Sequence, residues 1–310
     1  MSKIVVIGSV NVDKTTKLHH LPKSGETILG EDATESCGGK GANQAYAAAK
    51  LGADVTMLGV VGNDADGQKS LKNLKSVGVH VDHMLISDKP TGSAVILVTD
   101  RGENMIVVMP GSNMHCSVEY LKGHQDIIKN AEIILLQLEI PMESVKYVLA
   151  NKGEKTLIIL DPAPYNEQLT YEDLQKVDIL TPNETEFQYL TGKPFSSEGE
   201  ELLTDSQKLM TSGPKRCIVT LGEKGGYVLN KDGYTTFDPV RIQEVDSTAA
   251  GDTFNGALAS RLAKGEKLDV AINWAKYAAA VSVTRLGAQN SIPSEAEVGE
   301  FIAAKALAVS

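Results

Sequence analysis

Lys3-Ile-Val-Val-Ile-Gly8, Lys40-Gly-Ala-Asn-Gln-Ala-Tyr-Ala-Ala-Ala-Lys-Leu51 and Val55-Thr-Met-Leu-Gly-Val60 read as strand, helix and strand. The first run is short, continuously apolar and stopped by a glycine, the pattern of a strand buried on both faces. The second is rich in alanine, the best helix former, and Gly52 closes it. A further helix, Gly67 to Val77, is closed by Gly78 in the same way. Apolar strands at 133–138, 156–160, 178–181 and 216–220 then alternate with helical stretches near 142–151, 184–191 and 198–211. Such alternation implies right-handed crossovers, hence an α/β fold built on a doubly wound, mostly parallel sheet flanked by helices. From Phe254 onward the chain reads as mostly helical, with a turn at Thr284 to Pro293.

A chain of 310 residues with 42% apolar content can bury a full core, as one large α/β domain or one domain with a small appendage. Aromatic residues make up only 5%, so Val, Ile, Leu and Ala must fill the interior. A net charge of −10 argues against nucleic acid or a membrane surface as partner, because both repel an acidic body. Cys37, Cys116 and Cys217 are odd in number and widely spaced, which argues against a disulfide framework and a zinc site. His19 and His20 lack a helical partner at metal-ligand spacing and read as solvated surface. No signal peptide is visible, and no apolar run approaches the ~20 residues of a membrane helix. A soluble, cytoplasmic protein is expected.

Two zones break the strand–helix rhythm. Residues 12–38 alternate polar and apolar around Pro22 and Gly25, and residues 81–109 hold three short strand-like pieces. Two of these, Ser93-Ala-Val-Ile-Leu-Val-Thr99 and Asn104-Met-Ile-Val-Val-Met109, flank the turn residues Asp100-Arg-Gly-Glu103, which suggests a hairpin. The zones together predict a small antiparallel sheet projecting from a body made of 1–11, 39–80 and 110–310. One apolar face of such a sheet must be covered, by substrate, by a partner subunit or by both.

The chemistry concentrates in Asp246-Ser-Thr-Ala-Ala-Gly-Asp-Thr-Phe-Asn-Gly256. Small residues opening a helix expose bare N–H groups at the positive end of its dipole, which suits a phosphate. Asp252 falls in the first turn, where a carboxylate base beside an anion cradle serves phosphoryl transfer to an alcohol. A simple helix cap would explain one aspartate; it explains two flanking a run of small residues poorly.

This stretch and Cys37-Gly-Gly-Lys-Gly-Ala-Asn-Gln-Ala45 are the marks by which the chain resembles the ribokinase family of carbohydrate kinases, along essentially its whole length. The resemblance implies ATP as co-substrate, magnesium, potassium as an activator, and a homodimer formed through the projecting sheets. Asn11-Val-Asp13, Gly38 to Asn43 and Glu139 point within the family to ribose. Asp13 and Asn43 supply a carboxylate and an amide for vicinal hydroxyls, while Gly39, Lys40 and Gly41 belong to the acceptor side. Lys40 is followed by Gly41 rather than Ser or Thr, so a Walker-type phosphate loop is not indicated. On the nucleotide side the resemblance implies Asn183 and Glu186 for magnesium and phosphate, and the turn Thr220-Leu-Gly222-Glu-Lys-Gly225 for phosphates and ribose. Lys276 stands where similar kinases often carry Asn near the adenine. Asp246, Thr248, Ser282, Arg285, Gly287 and Ser291 match positions around potassium.

The expected reaction is ATP-dependent phosphorylation of the D-ribose 5-hydroxyl. Asp252 is its general base, and the N–H groups from Ala249 and Ala250 through Gly251 to Asp252 form the anion hole. Alternatives are a kinase for deoxyribose, another sugar or a nucleoside, and, from a different class, an inactive sugar-binding regulatory protein. A dinucleotide-dependent oxidoreductase ranks low, because Gly8-Ser-Val-Asn-Val-Asp13 lacks the GxGxxG fingerprint.

Overall fold

The computed structural model describes residues 3–101, 103–196 and 199–309. Gly102 of the expected hairpin turn, and Glu198 at the expected start of a helix, lie outside them.

In chain order the strands are β1 (Ile4–Ile7), β2 (Asn11–Leu18), β3 (Thr34–Gly38), β4 (Val55–Leu58), β5 (Val60–Gly62), β6 (Leu85–Ser87), β7 (Gly92–Thr99) and β8 (Asn104–Met109). They continue with β9 (Ile133–Leu136), β10 (Leu157–Leu160), β11 (Ile179–Leu180), β12 (Arg216–Thr220), β13 (Gly226–Asn230) and β14 (Gly233–Phe237). The main sheet runs β14-β13-β12-β11-β10-β9-β1-β4, parallel from β4 to β12, with β13 and β14 antiparallel at one edge. Strand periodicity sends Ile4 and Val6 into one apolar cluster and Val5 and Ile7 into another, so helices cover both faces.

The chain leaves β1 toward β4 on one side and later returns to pair β9 on its other side. That reversal makes a crevice at the carboxyl ends of β1 and β9, the usual ligand position in an open α/β sheet. Ser9 and Asn11 follow one strand; Gln137 and Glu139 follow the other.

The helices Lys40–Lys50 and Ala250–Ala263 cross close together beneath this crevice. A Cβ placed on Gly256 would sit 2.6 Å from the Ala47 Cβ and 2.8 Å from the Ala48 nitrogen. The alanine-rich sequence thus serves proximity as well as helix propensity.

The second sheet, β3-β2-β7-β8, comes from the two zones that break the alternation. Its outer pairs β2–β3 and β7–β8 are antiparallel, and the central β2–β7 pair is parallel. The third strand-like piece, β6, pairs instead with β5 in a separate two-stranded sheet. The apolar residues of β8 remain open to solvent, with Ile106 and Val107 each 53% exposed. Among the described residues, no helix is long and apolar enough to cross a membrane.

Candidate active site

Ala249 precedes the first turn of the Ala250–Ala263 helix at φ 61°, ψ 14°, the left-handed region. It is the one non-glycine residue with positive φ among the described residues, a conformation that costs about 1–2 kcal/mol. The kink is held from both sides. Thr253 donates its backbone N–H and its hydroxyl to the Ala249 carbonyl, each at 2.8 Å, and the Ala250 N–H donates to the Ser247 carbonyl at 3.1 Å. The Ala250 N–H is therefore engaged within the loop. The N–H groups of Gly251 and Asp252 face out of the first turn, where no carbonyl of their own helix can reach them. A Cβ at Gly251 would meet no heavy atom within 4 Å, so the space before this turn is open.

Asp252 is only 5% exposed. Its Oδ2 accepts from Asn43 Nδ2 at 2.9 Å and its Oδ1 from Gln44 Nε2 at 3.1 Å. The close crossing at Gly256 brings these amides within reach. Gln44 Nε2 also donates to Asp161 Oδ2 at 2.9 Å, and Asp161 lies 3.9 Å from the Lys40 ammonium. Burial pushes the Asp161 carboxyl up to about 8 against the pull of Lys40, with Asp252, Glu186 and Glu139 adding to the rise. Burial works against charge on Lys40, but Asp161, Asp252, Glu139 and Glu186 outweigh it and hold the ammonium above the usual lysine range.

On the other side of the crevice, Glu139 Oε2 accepts from the Ser9 hydroxyl at 2.5 Å and from the Lys40 N–H at 3.0 Å. It does not cap the following helix, whose N-cap is Pro141. Gly39, at φ 85°, and Gly41 let the loop after β1 touch the helix start. Cβ atoms there would fall 2.7 Å from the Asn11 nitrogen and 2.5 Å from the Ser9 nitrogen. Asn113 Nδ2 donates to Asn11 Oδ1 at 2.8 Å, while the Val10 N–H donates to Asn113 Oδ1 at 2.8 Å, so the Asn11 amide presents its nitrogen. Asp13 stands on β2 over the Gly38 backbone. Burial, with Glu139 and Asp252 as like charges, pushes its carboxyl up to about 6.

Asn183 and Glu186 form a reciprocal cap on the Glu184–Thr191 helix: the Glu186 N–H donates to Asn183 Oδ1 and the Asn183 N–H to Glu186 Oε2, each at 2.9 Å. Thr220 is bridged to Asn183. Beyond it, Gly222 and Gly225 adopt φ 55° and 85° around a single helical turn. Lys276, on the Leu268–Ser282 helix, lies over the Tyr277 ring with its ammonium 5.4 Å from the centroid. Asp246 staples two loops, accepting from the Thr248 N–H at 2.9 Å and the Gly287 N–H at 2.8 Å. Burial opposes its charge, but these donors keep its carboxyl below the usual range. Ser282 and Ser291 hydroxyls donate to Ala279 and Ala288 carbonyls, and Arg285 pairs with Glu297 at 2.6 Å.

The structure thus gathers Asp13, Lys40, Asn43, Glu139 and Asp252 at the switch crevice. Sequence reasoning missed Ser9, Gln44, Asn113, Gln137, Asp161 and Gln289. A signal existed for two of them. Gln137 breaks the apolar run 133–138 directly after β9, and Asp161 follows β10, both at carboxyl ends of buried strands.

A family model described as pfkB family carbohydrate kinase matches residues 1–295. The chain belongs to the pfkB family of carbohydrate kinases. As a pfkB kinase of the ribokinase type it is a sugar kinase, transferring phosphoryl groups. It is 37% identical to the ribokinase of Haemophilus influenzae over 304 residues, covering 96% of this chain and 98% of that one. It is 35% identical to a deoxyribokinase of Salmonella typhi, covering 96% and 98%. The structure of Arabidopsis thaliana ribokinase complexed with ribose and ATP superposes with a TM-score of 0.84 at 33% identity, covering 96% of this chain and 98% of that one. The pfkB kinase therefore has the ribokinase-like α/β fold with its separate small sheet.

Proposed function

We propose that this kinase transfers the terminal phosphoryl group of ATP to the 5-hydroxyl of D-ribose, giving D-ribose 5-phosphate. The observation that carries the reading is a buried Asp252, gripped through both oxygens, at the mouth of an open helix N-terminus. As the hydroxyl attacks in line, Asp252 accepts its proton. The N–H groups of Gly251 and Asp252 stabilise charge on the transferred group, with the Ala249 kink and Ala250 setting their direction. Asp13 and Glu139 accept from sugar hydroxyls, Asn11 and Asn43 donate to them, and Gly39 and Gly41 let the ring approach the backbone. The Lys40 ammonium, 3.9 Å from Asp161 and under the charges of Asp252, Glu139 and Glu186, is available to meet the transferred phosphate.

ATP then lies on the side of Asn183, Glu186, Thr220, Gly222 and Gly225, with Lys276 toward the adenine. Four carboxylates, Asp161, Asp252, Glu139 and Glu186, act on the one ammonium of Lys40, and Asp13 feels Glu139 and Asp252 as like charges. So acidic a crevice fits a divalent cation as escort for a polyanionic nucleotide, with Glu186 reaching it through water. When bound, magnesium neutralises charge on the phosphates. A monovalent cation such as potassium is placed by this reading at the loops stapled by Asp246, among Thr248, Ser282, Arg285, Gly287 and Ser291, where the Asp246 carboxylate stays charged. The β2-β3-β7-β8 sheet acts as a lid over the sugar, and its exposed β8 residues are covered by the lid of a second copy.

Asp252→Asn is expected to leave ribose and ATP affinity largely intact while kcat falls roughly 10²–10⁴-fold, the usual worth of a general base. Near-normal turnover would defeat the assignment. Similarity to a deoxyribokinase keeps 2-deoxyribose as the second reading. Comparing kcat/KM for ribose, 2-deoxyribose, fructose and adenosine decides between them.

A further inference from the structure

We propose that Gln44 and Gln289 are positioning residues for Asp252, the working links of two one-way amide chains that hold the base oriented before substrate arrives. The inference rests on the reading of Asp252 as base. One chain runs from Asn73 Nδ2 to Gln289 Oε1 at 2.5 Å, from Gln289 Nε2 to Asn43 Oδ1 at 3.1 Å, and from Asn43 Nδ2 to Asp252 Oδ2 at 2.9 Å. The other runs from Gln137 Nε2 to Gln44 Oε1 at 2.6 Å and from Gln44 Nε2 to Asp252 Oδ1 at 3.1 Å. Gln44, Gln137 and Gln289 are 0%, 0% and 1% exposed, so water does not compete for these bonds.

A primary amide has an accepting end and a donating end, and a half-turn exchanges them. An ionised carboxylate only accepts. Each amide in these chains keeps its nitrogen toward Asp252 because the next one offers a donor to its oxygen. Turning any link would set oxygen against oxygen in a low-dielectric interior. Gln44 is used completely: its oxygen accepts from Gln137, and its nitrogen reaches Asp161 as well as Asp252. It thereby ties the Asp161–Lys40 pair to the base at a set separation.

Gln137 keeps the same order at the head of its chain. Its Oε1 is buried without a hydrogen-bond partner, beside Gly8, because its nitrogen is committed to Gln44. A buried acceptor left unmatched is a cost that packing alone would have removed.

The test uses the full-length enzyme with ribose and ATP. Gln44→Met and Gln289→Met keep the volume and remove the donors. Each is expected to lower kcat roughly 10–100-fold, with ribose and ATP Kd by calorimetry changed by less than about threefold. Gln289→Glu presents oxygen to Asn43 and is expected to lose more than Gln289→Met. In an Asp252→Asn background the Met substitutions are expected to cost less than about twofold further, since residues acting through one group are non-additive. Asn73→Ala, at the partly exposed far end, tolerates substitution and is expected to lower kcat at least about threefold. An inactive Asp252→Asn beside fully active Gln44→Met, Gln289→Met and Asn73→Ala would overturn the relay alone. So would losses that persist undiminished in the Asp252→Asn background. Normal turnover in Asp252→Asn would remove the base assignment and the relay with it.

Discussion

Asp13→Asn is expected to make this kinase more stable and less able to hold its sugar. Asp13 sits with Glu139 and Asp252 in a buried crevice, and its carboxyl is pushed from 3.8 to about 6. A raised carboxyl pKa means that the folded state binds more protons than the unfolded state between those values. Stability from this group is therefore lost as pH rises through the window, and the loss is complete above it. At 1.36 kcal/mol per unit the cost at pH 8 is about 3 kcal/mol as a ceiling, falling to about 0.5 kcal/mol at pH 4. Asparagine keeps the size and removes the charge. Urea unfolding of the apo enzyme should show a gain of about 1–3 kcal/mol at pH 8 that shrinks toward nothing near pH 4. Calorimetry should show ribose affinity falling by at least about tenfold, because a charged acceptor for hydroxyls is gone. In the native enzyme the same titration predicts that KM for the sugar rises as pH falls through about 6. A variant no more stable at pH 8, or a gain that does not depend on pH, would refute the reasoning.

Gly256→Ala tests the close helix crossing: its methyl would meet Ala47 and Ala48, separating Asn43 and Gln44 from Asp252. It is expected to cost about 1–3 kcal/mol by thermal unfolding and to lower kcat more than it changes sugar affinity. Val107→Lys on the exposed β8 tests the proposed pairing of two copies: the native enzyme is expected to sediment as a dimer at micromolar concentration and the variant as a monomer, and a native monomer or an unchanged variant dimer would refute that interface.

The organisation of the body was legible because the signals are local. Continuous apolar runs mark β1, β4, β9 and β10, the first two ended by glycine, and the intervening helices follow from propensity and caps. The placing of Asp252 in the first turn of a helix was legible for the same reason, since the small residues and the aspartate that open it fall within eleven positions. The zones that build the second sheet were visible as interruptions, but not the pairing of β2 with β7 or of β6 with β5, because register between distant strands is set by packing.

From the chain alone come the strand–helix order, Asp252 as the proposed base and the glycines that must approach other backbone. Only folding decides what touches that carboxylate. Gln44 lies beside Asn43 in an alanine-rich helix where nothing local marks it, and Gln289 sits 246 positions from the Asn43 it orients. Amide polarity is a property of the neighbours on both sides, so it exists only once the Lys40–Lys50 and Ala250–Ala263 helices have crossed at Gly256. The same holds for Asp13 and Asp161, whose raised proton affinity comes from burial and from charges far along the chain. A sequence carries those charges but not the distances between them.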